Sequence, residues 1–146
     1  MRYSIYKDTV GIFREHPWGG TGFGTLVVAY PRYASFYDGL VVDHAHNDYL
    51  ELLADAGIIG GALGLCLIAV LYGRGLANLR GAKSAVARAA IAGSLSACTG
   101  LLLHSFVDFN LHIPSNAVIF LLLACLATSA MFLPSGRRIQ RSSLPC

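Results

Sequence analysis

The chain has 146 residues, of which 55% are hydrophobic and 13% charged, where soluble domains carry roughly 45 to 50% and about 25%. Those proportions are not an ordinary soluble protein's, and a nucleic-acid partner is not indicated, because the net charge of +3 is small and the cationic residues are not interleaved with aromatic ones. Cys66, Cys98 and Cys125 fall one per apolar run, Cys146 is terminal and no Cys-x-x-Cys occurs, so the cysteines read as buried hydrophobes and signal neither a disulfide framework nor a zinc site.

The first residues, Met1-Arg2-Tyr3, lead into an amphipathic stretch and not into the charged and apolar regions of a signal peptide. Ile5, Val10, Ile12 and Phe13 recur at roughly helical spacing with Lys7, Asp8 and Glu15 between them, predicting a short helix on a membrane surface that stops at His16-Pro17. Gly19, Gly20, Gly22 and Gly24 then make residues 18–24 a loop, either a plain turn or a cradle whose N–H groups hold phosphate oxygens. A dinucleotide-binding reading fails, since no strand precedes the glycines and no βαβ unit surrounds them. A short extended piece is expected from Leu26 to Tyr30, followed by an aromatic loop through Arg32 and Tyr37.

The densest polar cluster comes next, Asp43-His44-Ala45-His46-Asn47-Asp48. Asp43 is placed to cap a helix running through Tyr49, Leu50, Leu52 and Leu53 into an apolar run. His46 would then stand roughly 15 Å above Ala56, at 1.5 Å per residue. Three uncharged runs follow, residues 56–73, 89–107 and 109–136, of 18, 19 and 28 residues, each able to cross a bilayer that needs about 20. Arg74, Arg80, Lys83 and Arg88 lie between the first two runs, and Arg137, Arg138 and Arg141 after the third, with no acid among them. Residues 1–55 hold four Lys/Arg and seven Asp/Glu, a balance of 4 − 7 = −3.

The positive-inside rule puts both basic segments in the cytoplasm. The expected fold is therefore an all-α membrane protein in three parts: an outer-face (periplasmic) segment over residues 1–55, three transmembrane helices over 56–136 and a cytoplasmic basic tail over 137–146. Nothing in residues 1–55 would carry them across ahead of the first span, so the chain is expected to be the C-terminal part of a larger polytopic protein or the product of a gene cut short. Gly57 with Gly61, and Gly60 with Gly64, form small-x-x-x-small pairs that ask for a partner helix. A second polar cluster, residues 104–114, falls at the outer mouth between spans two and three. There His104 and Asp108 are four apart and can share a helix face, so that Asp108 orients an imidazole or binds hydroxyls.

His46-Asn47, nine residues, then Gly57-Ile58-Ile59-Gly60 resembles the hallmark of the O-antigen ligase and Wzy-type polymerase superfamily of bacterial membrane glycosyltransferases, and His16-Pro17-x-x-Gly20-x-Gly22-x-Gly24 resembles that family's glycine loop. The resemblance covers residues 2–73 and extends to the last two spans in character only. It implies a protein of ten or more transmembrane helices in the bacterial inner membrane. Such a protein transfers a glycan, without metal or other cofactor, from an undecaprenyl-pyrophosphate donor to a sugar or other hydroxyl at the periplasmic face. The implied partners are membrane lipid, the lipid-linked glycan and the remaining helices or a partner subunit.

A histidine suits removal of the acceptor proton near neutral pH, and His46 is the candidate general base. Arginines suit the charge that gathers on a leaving pyrophosphate. Arg2, at the family's functional-arginine position, and Arg32 are the stronger candidates, Arg14 the weaker. His44 and Asn47, beside His46, are further candidates for substrate binding. Two alternatives stand beside this reading: His44 and His46 with Asp43 and Asp48 as a divalent-metal site, and a non-catalytic three-span subunit whose outer segment binds a partner or polysaccharide. The 146 residues alone are expected to be inactive, because three helices enclose too little volume for donor and acceptor together.

Overall fold

The structure, a computed structural model, describes residues 2–35, 39 and 41–129. Among them every regular element is helical: α1 (Arg2–Glu15), α2 (Leu26–Ala29), a 3₁₀ turn (Tyr30–Arg32), α3 (Asp48–Gly81), α4 (Ala85–His104), a 3₁₀ turn (Asn110–His112) and α5 (Pro114–Ser129). The tail at 137–146 and the end of the third expected span lie outside the described residues.

Helix α1 forms where the spacing places it, but its apolar face is covered by protein. Ile5 and Ile12 pack with Leu26, Tyr30, Ala45 and Ala54, because the first turns of α3 run alongside. A membrane-surface helix would keep that face free. Asp8 shares the buried face, and its Oδ2 accepts from the Tyr30 hydroxyl at 3.0 Å, the Ser35 N–H at 2.9 Å and the Ser35 hydroxyl at 3.0 Å. One carboxylate oxygen thus fastens the 30–35 loop to α1.

The piece expected to be extended from Leu26 to Tyr30 is helical. The N–H groups of Val28 and Ala29 both bond to the Thr25 carbonyl at 3.0 and 2.9 Å. Pro31 sits in the first positions of the following 3₁₀ turn. Val27 and Val28 favour strands only when a neighbouring strand takes their backbone groups, and with none described here those groups close locally.

The cap of α3 is Asn47 and not Asp43. Its Oδ1 accepts from the N–H groups of Tyr49 and Leu50 at 3.0 and 3.1 Å, satisfying two otherwise unpaired donors of the first turn. Asp43 lies four residues upstream in non-helical chain. The 34 residues of α3 are not one straight rod, since Gly57 takes φ 63° and ψ −161°, a region open to glycine alone.

The helix breaks there because the glycine loop enters the break. The Ile58 and Ile59 N–H groups bond to the carbonyls of Pro17 and Trp18 at 2.8 and 3.3 Å, while Thr21 and Gly22 donate to the carbonyls of Ala54 and Asp55 at 3.0 and 2.9 Å. The bonds α3 forfeits at the kink are made again with residues 17–22. The fit needs two glycines: a methyl on Gly20 would overlap the Asp55 backbone, and one on Gly57 the backbone of Trp18. A methyl added to Gly61 or Gly64 would meet the Leu53 or Leu52 side chain of the same helix.

Below the kink α3, α4 and α5 pack together around Leu71, Ile91, Leu95, Cys98, Leu102, Phe120 and Ala127. Buried Asn78 donates to the carbonyls of Ala127 and Thr128 at 3.1 and 2.6 Å, tying α3 to the far end of α5. Asp48–Gly81 and Ala85–His104 are long and apolar enough to cross a membrane, and Pro114–Ser129 is a shorter apolar helix. Their outer surfaces are apolar as well: Leu63, Leu65, Leu103 and Leu122 are all more than 60% exposed.

Candidate functional site

The two polar clusters are stitched into one turn-on-turn assembly. The Asp48 N–H donates to the Ser105 carbonyl at 3.0 Å, Asn47 Nδ2 to the Phe106 carbonyl at 2.9 Å and the Tyr49 hydroxyl to the Leu102 carbonyl at 2.7 Å. In return the Leu111 N–H donates to Asp48 Oδ2 at 2.9 Å. Residues 53 to 63 apart in sequence therefore share one surface, above the start of α3 and the end of α4.

His46 stands on that surface in a left-handed conformation, φ 53°, and is the one described non-glycine residue with positive φ. Such a conformation is held from outside. The Tyr6 hydroxyl of α1 donates to the His46 carbonyl at 2.9 Å, and Asn47 fixes the next residue as the cap. The ring meets Phe109 edge-on at 5.2 Å between centroids and keeps 34% of its side chain exposed. Nδ1 is buried without a hydrogen-bond partner, 3.6 Å from Oδ1 of Asp108. Helix α4 ends at His104, so His104 and Asp108 do not share a helix face; the turn swings Asp108 to His46 instead. The Phe109 N–H on Oδ1 holds the exposed Asp108 carboxyl below its ordinary range, with His46 and His104 assisting.

The other expected residues divide. Arg2 Nη1 reaches the Val107 carbonyl at 3.5 Å, next to Asp108, so Arg2 belongs to the His46 surface. Asn47 is buried, its carboxamide engaged on both sides by the cap and by Phe106, which gives it a positioning part. His44 stacks on Phe109 with centroids 4.4 Å apart and its Nδ1 meets Glu51 Oε1 at 2.8 Å. Arg32 lines a separate open groove of about 400 Å³ with His16, Gly20, Thr21, Thr25, Val28 and Ala29. Arg14, in the last turn of α1, is exposed.

The glycine loop is not free to cradle phosphate. The N–H groups of Gly20, Thr21 and Gly22 bond to the carbonyls of His16, Ala54 and Asp55, and that of Gly24 to Asp55 Oδ2 at 2.6 Å. Donors already bonded to His16, Ala54 and Asp55 cannot also hold an anion, which favours the structural role.

Beneath the surface lie charged residues that the sequence reading did not single out as a group. Asp48, Glu51 and Asp55 are buried on one face of α3, and His112 sits against them, Nδ1 at 2.6 Å from Asp48 Oδ1 and Nε2 at 3.4 Å from Glu51 Oε1. The hydrogen bond to Asp48 raises His112 above the ordinary imidazole range despite burial. Burial works to raise Asp48, but His112, the Leu111 N–H and Ser105 outweigh it and hold the carboxyl low. Among the described residues Glu51, Asp55 and His112 are disposed to share a cation; the alternative set of His44 and His46 with Asp43 and Asp48 is not, since His44 turns to Glu51 and His46 toward Asp108. The signal was present in the i, i+3, i+7 spacing of three acids at the head of an apolar run.

Residues 1–65 match the family model described as O-Antigen ligase. No curated protein and no solved structure matches the chain. The matched residues include the whole of α1, the glycine loop, His44, His46, Asn47 and the kink at Gly57, while Asp108 and His112 lie beyond them.

Proposed function

We propose, from the O-antigen ligase-family character of residues 1–65, that this chain is the site-bearing part of a membrane glycosyltransferase. It moves a glycan from an undecaprenyl-pyrophosphate donor to a hydroxyl acceptor at the periplasmic face of the inner membrane. Three helices cross the bilayer in this reading: α3 below Gly57, α4 and α5. Their support is composition and exposure together, since apolar side chains that point away from the bundle suit lipid and not water. From Ile58 to Gly81, 24 residues span about 36 Å, and Arg74, Arg80, Lys83 and Arg88 gather at the end opposite His46, the cytoplasmic end by the positive-inside rule.

The observation that carries the chemistry is the pairing of His46 with Asp108. With its Nδ1–H turned to Asp108, the imidazole presents the Nε2 lone pair to an acceptor hydroxyl. It takes the proton as that oxygen attacks the anomeric carbon and the pyrophosphate leaves. A gap of 3.6 Å is longer than a hydrogen bond, as is common before substrate tightens a site. Asp108 then stabilises the imidazolium that forms, the part a carboxylate plays behind a catalytic histidine. Arg2, on the same surface, meets the leaving phosphates, whose charge grows as the bond breaks. Arg32 binds donor or acceptor farther out, along its own groove.

The test is glycan transfer by the protein in its full membrane context, supplied with an undecaprenyl-pyrophosphate-linked glycan and its acceptor. His46→Asn keeps a residue that tolerates positive φ and removes the base. Loss of transfer with insertion and helicity intact is the expected result, and full transfer by this variant would end the reading.

A further inference from the structure

The transfer reaction leaves one buried group unused. Asp48, Glu51 and Asp55 are respectively 5, 1 and 1% exposed, and buried carboxylates are stable only when each is paired. Asp48 is paired through Leu111 and His112, and Glu51 through the Ala45 N–H at 2.8 Å and His44. Asp55 is the least satisfied: Oδ2 accepts from Gly24 at 2.6 Å and the Leu26 backbone also favours the carboxylate, but Oδ1 is buried with no hydrogen-bond partner. One ligand atom from each of Asp55, Glu51 and His112 lies within 4.8 Å of the other two.

We propose that Glu51, Asp55 and His112 hold a divalent cation of the zinc or manganese kind, which ties the head of α3 to the 110–112 turn. One imidazole and two carboxylates are a suitable donor set for such ions. The 3.4 Å between His112 Nε2 and Glu51 Oε1 is the edge of a tetrahedron whose bonds are about 2.0 to 2.1 Å. Every ligand is also held from behind. Asp48 takes the other ring nitrogen of His112 at 2.6 Å, the carboxylate–histidine arrangement found behind metal-bound imidazoles, while Ala45 and His44 hold Glu51, and Gly24 holds Asp55.

Charge points the same way: three buried carboxylates, Asp48, Glu51 and Asp55, converge beside His112 and His44, and a divalent ion offsets the two that would bind it. The ion stands under the His46 turn and touches none of the reacting atoms, so it is a fixture of the outer segment and not a participant in transfer, and the proposal does not depend on the transfer reading.

The test uses the whole 146-residue chain in detergent, stripped with chelator and titrated with Zn²⁺ alone and with Mn²⁺ alone, with bound metal measured by elemental analysis and calorimetry. One ion per chain is expected. Asp55→Asn, which keeps an acceptor for Gly24, and His112→Gln should each weaken binding at least tenfold, and His46→Asn should leave it unchanged. X-ray absorption of the Zn²⁺-loaded unmutated chain should show one imidazole nitrogen among oxygen ligands, which keeps the proposal open to refutation even where a variant fails to fold. Absence of stoichiometric binding, binding indifferent to Asp55→Asn and His112→Gln, or a shell of two imidazoles would overturn it.

Discussion

A histidine does chemistry only when its ring is both held and reachable, and the residues around His46 supply the two conditions separately. Tyr6, Asn47 and Phe109 hold the backbone and the ring, and a third of the side chain is left open, enough in the proposed reading for an acceptor to reach it. We expect His46→Ala to lower transfer by about 10² to 10⁴ fold, the usual worth of a general base, measured as kcat at saturating donor. His44→Ala should cost much less, because His44 is turned to Glu51. Should the two losses prove equal, the base would have to be sought in the pair. For Asp108→Asn, kcat should fall with little change in KM for the acceptor, since in the proposed reading the carboxylate acts through the imidazole and not on the substrate. An increase in KM alone would reassign Asp108 to hydroxyl binding.

At the scale of elements, the outer segment is held by the docking of the glycine loop into the break of α3. This explains why the two glycine-bearing motifs occur in one chain: Gly20 admits the Asp55 backbone, and Gly57 admits that of Trp18. Gly57→Ala places a side chain where only glycine is at ease, a strain of about 1 to 3 kcal/mol, and adds an overlap with the loop. We expect faster proteolysis within residues 16–25 and loss of helicity in α1, whose cover is then loosened, while α4 and α5 persist. Gly73→Ala is the control, because nothing lies near the position its methyl would take. Equal resistance to protease in Gly57→Ala and Gly73→Ala would mean the docking is not a structural keystone.

For the whole molecule the testable matter is which end faces which side of a membrane. Residues 35 and 110 lie on the His46 side of the bundle and residue 84 at the α3–α4 junction on the other. Cysteines placed at Ser35 and Asn110 should therefore be labelled in intact cells by an impermeant thiol reagent, whereas one at Ser84 should react only after permeabilisation. Labelling of Ser84 first would invert the orientation argued from Arg74, Arg80, Lys83 and Arg88.

The sequence by itself determined the helical class, the apolar helices and the motif residues, because these follow from local period and composition: Ile5 and Ile12 mark one face of α1, and residues 56–73 can bury no charge. It placed His46 and Asp108 on one side through charge bias alone. Only the tertiary structure decided what the polar atoms do, because a donor's partner depends on chain that is distant in sequence. Asn47 displaced Asp43 as cap once Phe106 was there to take its amide. In the glycine loop the N–H groups of Gly20, Thr21, Gly22 and Gly24 went to His16, Ala54 and Asp55. His112, 64 residues from Asp48, met it only after α4 had turned back, and that return is written in packing, to which no local pattern points.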